Sequence, residues 1–144
     1  MALDLLLVGD NPGDVRLTTE MFQRVNDSVR LHVAADGVEA MSFLRREGAY
    51  GRAPRPLLIL LDLNLPKLDG REVLALVKAD EQLKTIPVLI LTMSDSPIDV
   101  QNSYQAQANC YLKKPISLDE FQDLIASVNR FWLRDVNLMR QPRS

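Results

Sequence analysis

The sequence predicts an α/β domain in which a five-stranded, doubly wound parallel sheet carries helices on both faces. Three observations point there. Short apolar runs recur five times along the 144 residues, each separated from the next by a stretch of helical periodicity. The run Leu57–Leu61 is continuously apolar rather than alternating, which is how a strand covered on both faces reads in a parallel sheet. The intervals between runs are long enough for a crossover helix each time.

The elements follow in order. Leu3–Val8 is the first strand, and Val15, Met21, Phe22 and Val25 fall on one face of the helix after it. The second strand is Val29–Ala35, followed by a helix carrying Val38, Met41, Phe43 and Leu44. Asp36 and Glu39 have capping-box spacing, in which each side chain satisfies the other's otherwise unpaired backbone N–H. Gly48 to Pro56 holds two Gly and two Pro and reads as a long loop before the third strand, Leu57–Leu61. Val73, Leu74, Leu76 and Val77 mark the third helix. Pro87 opens the fourth strand, Val88–Leu91, at a place where a missing N–H is tolerated. Ile98–Ala108 is rich in Gln, Asn and Ser and poor in apolar anchors, so it is the weakest helix and the candidate for local mobility. Cys110–Leu112 is the fifth strand, with Pro115 just beyond. Ser117 and Glu120 repeat the capping-box spacing and open a long helix from Leu118 to about Val136.

Composition narrows the function classes. Seventeen Lys and Arg stand against 19 Asp and Glu, a balance that argues against nucleic acid as the main partner, because phosphate binding needs a clustered basic excess. No apolar run approaches the ~20 residues that span a bilayer. Leu5–Val8 is too short for a secretory signal and follows the acidic Asp4. Cys110 is alone, which excludes an internal disulfide framework and a cysteine-based zinc site. His32 has no second histidine to pair with and reads as a strand residue. The expectation is one domain, working in the cytoplasm.

Ligands of a doubly wound sheet gather beyond the carboxyl ends of its strands. After the first strand stand Asp10, Asn11 and Asp14; after the third, Asp62; after the fourth, Thr92, then Met93; after the fifth, Lys113 and Lys114. In the strand order 2-1-3-4-5 the first and third strands are neighbours, which brings Asp10 and Asp62 within reach of one ion. Two carboxylates with a backbone carbonyl suit Mg²⁺. A carboxylate can also act as a nucleophile and form an acyl phosphate, and Thr92 and Lys114 can supply donors to the equatorial phosphoryl oxygens. Any one of these residues alone is an ordinary solvated turn residue. Their joint placement is the signal.

The segments Leu6–Asp14 (LLVGDNPGD), Ile59–Pro66 (ILLDLNLP), Asp69–Leu74 (DGREVL), Leu91–Thr92 and Asn109–Pro115 (NCYLKKP) resemble receiver domains of bacterial two-component signalling. The likeness is greatest to the single-domain response regulators that serve cyanobacterial-type phytochromes. It runs from about Leu3 to Leu133, leaving residues 134–144 as a short C-terminal extension of one receiver domain. The resemblance implies a flavodoxin-like fold and a phosphorylation switch rather than a turnover enzyme. Asp62 would accept the phosphoryl group from a sensor histidine kinase. Asp10, Asp62 and the backbone carbonyl of Asn64 would hold Mg²⁺. Thr92 would hydrogen-bond the phosphoryl oxygens, Lys114 would pair with them, and Tyr111 would be the aromatic switch residue. Output would pass by protein contact through the fourth helix, fifth strand and fifth helix.

Two positions depart from the family pattern. Gly9 stands where a second acidic residue usually precedes Asp10, which predicts weakened metal binding. Met93 stands where a small residue usually opens the path to the acceptor, which predicts slower transfer from small phosphodonors. Those departures keep open a degenerate receiver that binds partners without phosphorylation. A haloacid-dehalogenase-like hydrolase also uses an Asp nucleophile, but its second Asp, two residues on, is here Asn64. Finally, Leu118, Phe121, Leu124, Ile125, Val128, Phe131 and Trp132 form an apolar stripe about 140° wide, broader than a helix covering a sheet requires. The cluster Phe131, Trp132 and Leu133 is read as an isologous homodimer contact.

Overall fold

A computed structural model describes residues 3–63, 65, 67–92, 97–115 and 117–135. The expectations placed on Asn64, Met93 and residues 136–144 concern positions outside the described residues. The chain alternates β1 (Leu3–Val8), α1 (Pro12–Val25), β2 (Val29–Ala34), α2 (Gly37–Arg45), β3 (Leu58–Leu61), α3 (Gly70–Ala79), β4 (Val88–Thr92), α4 (Pro97–Gln105), β5 (Cys110–Lys113) and α5 (Leu118–Val128). The sheet has the order β2-β1-β3-β4-β5 with every pair parallel, the flavodoxin-like arrangement expected.

The continuous apolar runs have a direct structural cause. Side chains of a strand alternate between faces, and here both faces are covered. Leu6, Val8, Ile59, Leu61, Val88 and Ile90 join one core with residues of α2 and α3. Leu5, Leu7, Leu58, Leu60 and Leu89 join the other with residues of α1 and α5. All four residues of β3 are buried, as are all five of β4.

The helices start where cap residues stand. Asn11 accepts from the Asp14 N–H at 3.0 Å, with Pro12 opening α1. Asp36 accepts from the Glu39 N–H at 2.8 Å, but the box closes one residue early: Glu39 takes the N–H of Ala35, at 3.1 Å, rather than that of Asp36. Its other oxygen is drawn away by the Tyr50 hydroxyl at 2.6 Å, supplied by a short 3₁₀ turn, Gly48–Tyr50, within the predicted loop. Ser117 accepts from the Glu120 N–H at 3.4 Å. Helix α4 forms but ends at Gln105, and only Ser103 on it is buried; Ile98 and Tyr104 are exposed.

The C-terminal helix differs from expectation. The α-helix stops at Val128 and the chain continues as a π-helical segment, Asn129–Asp135. Leu133 follows Val128 by five residues, and both are buried in the same core; the wider π turn, with its i→i+5 bonding, keeps them on one face. Asn26 donates its side-chain N–H to Asn129 Oδ1 at 3.0 Å, tying the junction to the end of α1. Among the described residues no helix is long and apolar enough to cross a membrane.

Candidate functional site

Parallel pairing aligns the carboxyl ends of the strands on one edge, so the residues just past β1, β3, β4 and β5 meet without any further device. Val8 pairs with Leu61, and the Asp62 N–H donates to the Val8 carbonyl at 3.0 Å. Asp62 therefore stands beside Gly9, with the exposed Asp10 next along the chain. Behind Asp62, α3 begins at Gly70, and only a residue without a side chain fits. A Cβ there would overlap the Asp62 carbonyl oxygen and lie 2.8 Å from Leu63 Cα. The Gly70 N–H donates to the Leu63 carbonyl at 3.1 Å, closing the loop that carries the acceptor candidate.

Two further groups arrive from β4 and β5. Thr92 is almost fully buried at the end of β4, opposite Lys113. The Lys114 N–H donates to the Thr92 carbonyl at 2.8 Å. The Lys114 side chain is only 11% exposed, with its Nζ 4.0 Å from Asp62 Oδ2 and 3.1 Å from Asp14 Oδ2. Lys113 points to solvent instead. A cavity of about 10 Å³, roughly the size of one water, is lined by Gly9, Asn11, Asp14, Thr18, Asp62 and Lys114 among others.

The structure thus gathers Asp62 and Lys114, with Thr92 joined to Lys114 through the backbone and Asp10 exposed just beyond Gly9 in the chain. The donor set fits a hard divalent cation: every candidate ligand is oxygen, and two carboxylates leave room for the waters such an ion retains. Among the described residues no group of three His, Cys, Asp or Glu is arranged to hold a metal. Tyr111 lies partly buried against the core shared with α2 and α3, and its N–H donates to the Tyr104 hydroxyl of α4 at 3.2 Å. Burial pushes the Cys110 thiol up, disfavouring the thiolate. His32 hydrogen-bonds Asp4 at 2.9 Å on the β1–β2 side of the sheet, as a strand residue. Burial works to raise the Asp4 carboxyl, but bonds from His32 and Arg30 outweigh it and hold the group below its ordinary value.

Phe131, Trp132 and Leu133 stand apart from this edge, and they do not share one environment. Leu133 is buried in the chain's own core, whereas Phe131 is 56% exposed and meets the partly buried Trp132 edge-on at 5.2 Å. Sequence reasoning noted Asp14 but gave it no role; the cap at Asn11, which fixes Asp14 in the first turn of α1, was the available signal. It also missed Arg71, which bridges Asp69 at 3.3 Å and Asp99 of α4 at 2.9 Å. Hydrogen bonds that Arg71 donates to Asp99 and then to Asp69 raise its pKa further.

A parallel sheet of this order, with an aspartate, a threonine and a buried lysine on one edge, defines a receiver. The chain belongs to the response regulator receiver domain family, which matches residues 5–126, and it is therefore a component of two-component signalling. It is 46% identical over 134 residues to response regulator Rcp1 of Synechocystis sp., covering 93% of this chain and 91% of that protein. The crystal structure of the phosphorylated cyanobacterial phytochrome response regulator RcpA superposes with a TM-score of 0.89 at 43% identity, over 94% of this chain and 96% of RcpA. The Mn²⁺-bound form of Rcp1 gives a TM-score of 0.85 at 45% identity, over 91% and 94%.

Proposed function

We propose that Asp62 is the phosphoacceptor of a Mg²⁺-dependent switch, charged by a sensor histidine kinase of the phytochrome type in the cytoplasm. The observation that carries this is the buried ammonium of Lys114 within 4.0 Å of the Asp62 carboxylate, on the edge where Thr92 ends β4. An Asp62 oxygen attacks the phosphorus of the kinase phosphohistidine, the P–N bond breaks, and the imidazole leaves with the electron pair and takes up a proton. Mg²⁺, held by Asp10, Asp62 and the Asn64 carbonyl, would neutralise charge on the phosphoryl oxygens when bound. Thr92 donates its hydroxyl to one phosphoryl oxygen, and Lys114 pairs with another.

Phosphorylation adds charge and three strong acceptor oxygens at Asp62. Drawing Thr92 inward opens space for Tyr111, whose backbone already contacts α4 through Tyr104. Helix α4 has one buried residue, Ser103, fewer than any other α-helix described, which suits it to a two-state response. A phytochrome-type kinase is favoured by the likeness to RcpA. Homodimerisation through the exposed Phe131 and its neighbour Trp132 is favoured by an aromatic pair that the chain's own core leaves half uncovered.

Phosphotransfer from candidate histidine kinases, with and without Mg²⁺ and with Asp62→Ala as control, tests the reading. Label that needs Mg²⁺ and vanishes in Asp62→Ala is expected. Label that survives Asp62→Ala moves the acceptor elsewhere. A wild-type chain that takes no label from any kinase or from acetyl phosphate is a degenerate receiver.

A further inference from the structure

Lys114 stands between two carboxylates at the edge of the site. Its ammonium is nearly withdrawn from solvent, and a buried charge must be paired. The nearer partner is not Asp62, at 4.0 Å, but Asp14, at 3.1 Å. The Asp14 backbone is held firmly, and its carboxylate, 45% exposed, reaches Lys114 from the solvent side. Its N–H bonds the Asn11 cap, its carbonyl accepts from Thr18 Oγ1 at 2.7 Å, and its place in the first turn of α1 favours a negative charge. Meanwhile Gly9 brings no side chain to the cavity that Asp14, Asp62 and Lys114 share. A Cβ built at Gly9 meets nothing nearer than Val15 Cγ2, at 3.9 Å, so a side chain can start from this position without moving the backbone.

We propose that Asp14 is a positioning residue for Lys114, supplying from α1 the counter-charge that position 9 does not. This rests on the proposed role of Lys114 at a phosphorylated Asp62. The lysine side chain has four freely rotating methylenes, and its ammonium is useful to the phosphoryl group only if it waits at the mouth of the site. One carboxylate at 4.0 Å, itself the group that reacts, is a poor tether. Asp14 keeps Lys114 in place before and during transfer without reacting. In the phosphorylated state Lys114 lies between Asp14 and the phosphoryl oxygens and bridges them.

The test is a double-mutant cycle on phosphorylation by acetyl phosphate at saturating Mg²⁺, with wild type, Asp14→Asn, Gly9→Asp and the double variant. Asp14→Asn keeps shape and backbone bonds but takes the nearer counter-charge from a nearly buried ammonium, so its melting temperature should fall modestly while the chain stays folded at the assay temperature. It is expected to slow labelling about tenfold, the scale on which misplacing a catalytic group acts. In the Gly9→Asp background, where a carboxylate enters the same cavity, the same substitution should cost less than about twofold. The Lys114 ammonium resonance in ¹⁵N NMR should be visible in wild type, weakened by exchange in Asp14→Asn and restored in the double variant. A wild-type rate for Asp14→Asn, or an equal loss in both backgrounds, overturns the inference. Failure of the wild-type chain to label at all, by contrast, defeats the underlying phosphoacceptor reading.

Discussion

Replacing three glycines one at a time by alanine separates steric fit at the acceptor from ordinary backbone effects. At Gly70 the new Cβ would occupy the space of the Asp62 carbonyl oxygen, with Leu63 Cα only 2.8 Å away and ordinary contact beginning at 3.4 Å. Both obstacles are backbone, so no side chain can swing aside; either α3 retreats or the Asp62 loop moves. Forced overpacking of this kind costs about 1–3 kcal/mol or more, and the displacement falls on the proposed phosphoacceptor. At Gly48 nothing lies within 4 Å, but φ is +58°, so alanine costs only the left-handed penalty of about 1 kcal/mol. At Gly9 the site is open and φ is unremarkable, so alanine stays within about 0.5 kcal/mol. Urea unfolding should therefore rank Gly70→Ala far below Gly48→Ala, with Gly9→Ala at wild type. Acetyl-phosphate labelling should fall only for Gly70→Ala, by more than its population of unfolded chain explains. Equal stabilities for the Gly70 and Gly48 variants, or full labelling by Gly70→Ala, would refute the close-approach argument.

Other expectations follow from single features. Asp36 caps α2, and the hydrogen bond from the Glu39 N–H, with help from Lys67, holds its carboxyl below the ordinary 3.8 against the opposing effect of burial. A carboxyl depressed by folding stabilises above its unfolded pKa and loses that contribution as pH falls through the folded value. Asp36→Ala should thus cost about 1 kcal/mol at neutral pH, and urea midpoints should show the gap from wild type narrowing below pH 4. Leu133→Ala should cost about 2–5 kcal/mol by leaving a cavity, whereas Phe131→Ala should barely change stability and should weaken self-association in sedimentation velocity. Gly9→Glu, which adds a carboxylate beside Asp10, should tighten Mg²⁺ in a fluorescence titration; unchanged affinity would show that the missing carboxylate is not what limits binding.

Much of this was legible in the chain because burial on both faces leaves a plain trace. Strands such as β3 and β4 have no solvent side, so their runs are unbroken and their ends easy to place. The site was legible for a related reason: a parallel sheet delivers every strand's carboxyl end to one edge, so the residue after each apolar run is a candidate. The misses are those that run length and spacing do not encode. Over seven residues, a π-helical segment carries nearly the same apolar spacing as an α-helix, so the swing of Leu133 into the core and of Phe131 outward was hidden. The reach of Glu39 to Ala35 depends on Tyr50 eleven residues away, and the pairing of Asp14 with Lys114 spans 100 residues. Neither leaves a local mark.

The backbone bond from Lys114 to Thr92 joins the tips of β4 and β5 into one stiff lever. On the proposed roles of Thr92 and Lys114, the two groups that would meet a phosphoryl group are then not two independent reporters but two prongs of a single part. Drift of either prong would pull on the other, so a pull felt by both would be passed on more readily than one felt at a single oxygen. The switch would register a modification once, as a whole, rather than in fractions.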